Sequence, residues 1–140
     1  MSTFTAFFAQ NKRQTPNIKY VASKNFVGED GNPMEWELRK LSKTESDQLI
    51  KECTHTITLR DGQRIKEVDQ MAFGDKLIAA SVVFPPLKDA SLQDSYHVVG
   101  EVKLLKEMLS IGEYADLGQK VRELNDLEED INQLVAEAKN

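Results

Sequence analysis

Glu35-Trp36-Glu37-Leu38-Arg39 alternates strictly between charged and apolar residues, and Ser42-Lys43-Thr44-Glu45 follows after Lys40 and Leu41. A period of two is that of a strand with one wet face and one buried face, so Trp36 and Leu38 point inward. A lone Trp also serves as a stacking platform for ligands, but the alternation favours the core. Ser-x-x-Glu is a capping box: the serine oxygen accepts from the third amide of a helix and the glutamate reaches back to the serine N–H. A strand that feeds a capped helix excludes an all-helical and an all-β reading of this half.

Upstream, Ile18, Tyr20, Ala22 and Phe26 favour one face. Gly28-Glu29-Asp30-Gly31-Asn32-Pro33 is dense in turn formers, so residues 18–41 read as a β-hairpin. Phe4, Phe7 and Phe8 lie at i, i+3 and i+4, which predicts a short helix over residues 2–11 capped by Ser2 or Thr3. Its favoured use is packing on its own domain, and the alternative is a docking peptide. The helix of Ser42 is apolar at Leu49, Ile50 and Cys53. After it, Thr56-Ile57-Thr58-Leu59, Asp61-Gly62 and Arg64-Ile65-Lys66 read as a second hairpin.

Beyond residue 68 the period becomes helical. Asp69 caps a helix that runs to about Phe84, where Pro85-Pro86 stops it. Residues 88–95 read as a polar loop or a single turn. Residues 96–109 read as a helix with Val98, Val99, Val102, Leu105 and Leu109 on one side. Ser110-Ile111-Gly112-Glu113 is a second capping box, and Leu117, Val121, Leu124, Leu127, Ile131 and Leu134 form the stripe of a last helix. The expected fold is α+β: antiparallel hairpins confined to residues 18–68, then a mainly helical half over 69–140, the two halves forming one domain of 1–140.

The chain has 140 residues, 18 basic and 23 acidic, for a net charge of −5. The last 40 residues carry five basic and ten acidic groups. Such a chain lacks the clustered Lys and Arg that drive binding to nucleic acid or to anionic membranes. No apolar run approaches the roughly 20 residues of a membrane span. Met1-Ser2-Thr3-Phe4 does not open a secretory signal, and one cysteine, Cys53, fits a reducing cytoplasm. His55 and His97 show no metal-ligand spacing with each other or with Cys53. Glu128-Glu129-Asp130 lacks the spacing and turn glycine of a calcium loop. No catalytic, cofactor or metal residue is predicted, which favours a binding or assembly module over an enzyme.

Six short patterns occur in order along the chain. They are Phe4-Thr5-Ala6-Phe7-Phe8; Ser23 and Phe26 leading to Gly31 and Pro33; Trp36 to Arg39 with Leu41, Ser42 and Glu45; Val82, Val83 and Pro85; Leu92, Gln93, Ser95 and Tyr96; and Met108, Leu109, Gly112, Glu113 and Tyr114. In this the chain resembles the XkdN-like tail assembly chaperones of phages and PBSX-like prophages of Gram-positive bacteria. His97 departs from the pattern, which has glycine after the tyrosine.

The resemblance implies a protein that binds the tape measure, a long and largely helical tail protein, and keeps it soluble in the bacterial cytoplasm until the tube forms around it. The tail tube protein is a further implied partner, and the chaperone is absent from the mature tail. It implies no catalytic residues. Two apolar surfaces are the candidate contacts by their chemistry: the stripe Leu117, Val121, Leu124, Leu127 and Ile131, and the loop Val83, Phe84, Pro85, Pro86 and Leu87. Both compete with a role as internal core, and the last helix also suits self-association. The rival readings are a structural minor tail or connector subunit, and then a nucleic-acid adaptor.

Overall fold

The computed structural model describes residues 3–127. Strand β1 (Ile18–Tyr20) pairs antiparallel with β2 (Trp36–Leu38), Ile18 opposite Leu38 and Tyr20 opposite Trp36. Between them the chain closes on itself through a bridge from Val27 to Pro33, with Gly31 at φ 83°. That is left-handed backbone, which glycine adopts without a Cβ penalty. Trp36 is 2% exposed and Leu38 is fully buried, so the alternation of residues 35–39 is that of a half-buried strand. A stacking role for Trp36 is thereby excluded.

Helix α1 (Lys43–Glu52) carries the full capping box: Ser42 Oγ accepts from the Glu45 N–H, and Glu45 accepts from the Ser42 N–H. Arg39 clamps the same carboxylate with two bonds of 3.2 and 2.7 Å. The second hairpin, β3 (Thr54–Thr58) and β4 (Arg64–Val68), forms a separate two-stranded sheet around Asp61-Gly62.

Asp69 caps α2 (Gln70–Ser81) by accepting from the Ala72 N–H. The helix does not continue to Phe84. Residues Val82–Phe84 form β5, which joins β2 to complete a three-stranded sheet of order β1-β2-β5. Strands are therefore not confined to residues 18–68. A Val-Val-Phe triplet favours a strand wherever a partner edge is at hand, and β2 offers one.

Residues 90–95 form a short helix, α3 (Ala90–Ser95), capped by Asp89. The next helix, α4 (Glu101–Met108), begins five residues later than the pattern suggests. His97 at φ 57° and Gly100 at φ 108° break the chain between them. Val98 still packs on the core, while Val99 is 84% exposed. His97 thus holds the backbone that the glycine of the resembled pattern would adopt freely.

The second capping box starts α5 (Ile111–Leu124), with Ser110 Oγ accepting from the Glu113 N–H. The helix ends earlier than its apolar stripe. Asp126 sits at φ 58°, the Asp126 N–H reaches Glu123 O, and the Leu127 N–H reaches Arg122 O at 2.8 Å. This pair of bonds is a Schellman stop, which satisfies the last carbonyls of the helix. Ile131 and Leu134 lie outside the described residues.

The first segment differs most. Two 3₁₀ turns, Thr5–Phe7 and Ala9–Asn11, replace a helix over 2–11, because Phe8 between them is extended at ψ 148°. Phe4 and Phe8 meet edge to face at 5.3 Å, and Phe7 is 87% exposed. The aromatic trio is not core.

Two tests follow from these contacts. Trp36→Ala should lower stability by roughly 3–5 kcal/mol, read from denaturant melts. The Glu45 carboxyl is pulled from 4.5 to about 2, first by the Arg39 hydrogen bonds and then by the Ser42 N–H. Its folded value is depressed, so its contribution is full above pH 4.5 and vanishes as pH falls through about 2. Because the pair is partly exposed, Glu45→Gln should cost only about 1 kcal/mol at neutral pH. The acid limb of the stability curve should flatten in the same variant.

Candidate functional site

The two candidate surfaces fare differently. In the last-helix stripe, Leu117 and Val121 are fully buried, and Leu124 and Leu127 are half-buried against the same core. Leu117 and Val121 are core in this fold: α5 turns this side to α2, where Gly118 lies against Ile78. A Cβ at Gly118 would come within 3.1 Å of the Ile78 Cδ1, so the glycine allows the close approach. Ile131, the last of the stripe, lies outside the described residues.

The loop is mostly surface. Val83, Phe84 and Pro86 are exposed and Pro85 is half-buried, while Leu87 is core. Val83 and Phe84 are strand, not loop: they belong to β5, the outer strand of its sheet, and residues 85–87 continue the chain from it. Val83, Pro86 and Leu87 line a groove of about 840 Å³. Leu49 of α1, Ala79 and Ala80 of α2, and Val99, Gly100 and Val102 around the start of α4 also line it.

One side chain ties two stretches of this lining together. Gln93 donates through Nε2 to Leu87 O at 2.8 Å, and its Oε1 accepts from the Gly100 N–H at 3.1 Å. Both backbone groups belong to groove-lining residues. Sequence reasoning noted Gln93 only as part of a pattern, because its two partners lie six and seven residues away on opposite sides.

The groove carries charge as well as apolar surface. Arg39, Lys76, Lys88 and Lys103 line it, with Glu52 and Glu101 as the carboxylates. Lys76 is tied to Glu52 at 3.2 Å and Arg39 to Glu45 at 2.7 Å.

Cys53 is buried at the end of α1, and burial pushes its thiol above the ordinary value, so little thiolate forms at neutral pH. His55 is exposed on β3. No group of three or more His, Cys, Asp or Glu among the described residues is placed to hold a metal ion. No helix among the described residues is long and apolar enough to cross a membrane.

The model of the phage XkdN-like tail assembly chaperone proteins matches residues 4–139. The chain belongs to that family. It is 31% identical over 137 residues to the phage-like element PBSX protein XkdN of Bacillus subtilis (strain 168), covering 96% of this chain and 93% of that one. YqbN, an uncharacterized protein of the same strain, is 29% identical over 128 residues, 91% of this chain and 86% of YqbN. The crystal structure of YqbN shares the fold, with a TM-score of 0.75 at 24% identity over 90% of this chain and 98% of that one. The XkdN-like resemblance of the six sequence patterns is thereby confirmed.

Core and surface separate on a pair of substitutions. Val121→Asp places an unpaired charge in the core and should abolish cooperative folding, at a cost of several kcal/mol. Val83→Asp should cost only about 1 kcal/mol and keep a cooperative melt, since it changes a partly exposed position on an edge strand. Circular-dichroism melts of the two variants provide the comparison.

Proposed function

We propose that this tail assembly chaperone binds the tape measure protein of its phage or prophage in the host cytoplasm and keeps it soluble until the tail tube encloses it. It then leaves, and it performs no chemistry on its partner. Membership of the chaperone family across residues 4–139 carries the reading. The physical need is clear: long amphipathic helices with uncovered apolar faces associate with one another. A chain of net charge −5 that offers an apolar groove can cover part of such a face and lend the complex its charge. The contact surface in this reading is Val83, Phe84, Pro85 and Pro86 with the groove behind them.

Displacement needs no nucleotide. Tube subunits that bind the same helices in a growing polymer win by multivalency, provided the chaperone contact is modest in area.

The test is co-expression. The tape measure of the same phage or prophage should be largely insoluble alone, and its soluble fraction should rise several-fold with the chaperone. The two should co-purify, and the chaperone should be missing from purified tails. Recovery of the chain in mature tails, without rescue, would replace this reading with that of a structural tail subunit.

A further inference from the structure

From the charge of the groove we infer that its occupant is a partner helix whose apolar face is bordered by Asp or Glu, held by Lys88 and Lys103. This rests on the proposed binding of a helical tape measure and names the chemistry of the segment bound. Val99 and Val83 both line the groove and are exposed, and Pro86 adds a third exposed apolar residue. An apolar groove is what receives the i, i+3, i+4, i+7 side chains of an amphipathic helix.

Four of the six charges lining the groove are cations, although the whole chain is acidic. Arg39 and Lys76 are already paired with Glu45 and Glu52. Lys88 and Lys103 have no ion pair among the described residues, and both are exposed. The one carboxylate left over, Glu101, lies in the first turn of α4, where the helix dipole already offsets it. Two cations without an ion pair among the described residues thus line an apolar trough, and they reward acidic flanks and reject basic ones.

Two synthetic helical peptides test this against the full chain. Both carry leucines at i, i+3, i+4 and i+7; one has glutamates beside them, the other lysines. The glutamate peptide should bind about tenfold more tightly, the worth of two partly exposed ion pairs. The preference should shrink as salt is raised. It should reverse in the double variant Lys88→Glu, Lys103→Glu, whose melt should match wild type because both positions are exposed. Equal binding of the two peptides, or binding of neither, overturns the inference. So does binding that emerges only after residues 128–140 are deleted, because the groove then belongs to the chain's own C-terminal segment. Co-expression keeps the two claims apart. A wild-type protein that rescues the tape measure while showing no peptide preference leaves the chaperone reading standing and removes the charge-selective groove.

Discussion

Helix α2 is buried on several sides at once, and the remaining elements are placed by the need to cover it. Phe73 enters a cluster with Ile50, Cys53 and Val68, which brings in α1 and the second hairpin. One turn on, Leu77, Ile78 and Ala79 enter the larger cluster with Trp36, Leu38, Leu104, Leu117 and Val121. A helix that is apolar on most of its circumference cannot sit on a surface. Polar anchors reinforce the arrangement from the same helix. The Tyr114 hydroxyl donates to Asp75 at 2.5 Å, and Lys106 meets the other Asp75 oxygen at 2.8 Å. One carboxylate therefore holds α4 and α5, and burial together with that bond drives the Tyr114 pKa well up.

The end of α2 is where the core passes into the candidate site. Ser81 is fully buried and its carbonyl accepts from the Arg39 N–H at 2.9 Å, which locks the helix end to β2. The chain has to leave as a strand, because β2 still offers an open edge there. β5 follows, and its Val83 lines the groove with Pro86 and Leu87. Gln93 then ties Leu87 to Gly100. The groove is thus a by-product of core packing plus one amide, and rigid walls lower the entropic cost of binding.

Local signals were legible where the chemistry is local. Both capping boxes, the Asp69 cap, the two hairpins and the inward Trp36 follow from residues a few positions apart, as does the α+β class. What failed was set by distant partners. Val82-Val83-Phe84 is equally apolar as helix or strand, and only the edge of β2 decides. Likewise the stripe from Leu117 to Leu134 has helical spacing throughout, yet α5 stops at Leu124. Asn125-Asp126 was the available signal, since these residue types accept the left-handed turn that closes a helix. The groove was half legible. Its loop was singled out for its apolar residues, but the rest of its lining comes from α1, α2 and the start of α4, and its cations from four separate places in the chain.

Burial also constrains how a chaperone of this build can work. If the α5 stripe were the contact, binding would require Leu117 and Val121 to leave the core, and α2 would lose one of its covers. The cost would approach the stability of the whole fold, which for a chain of this size is only about 5–15 kcal/mol. A groove already open in the folded state carries no such cost. In the proposed binding mode its contact would be confined to a few apolar side chains and two surface lysines, which would limit affinity and favour rapid release. Release is what an assembly factor needs, because a partner held too tightly could not be handed to the growing tube. On this reading, the separation of a buried stripe from an open groove is what allows the same protein to be stable and its complex temporary.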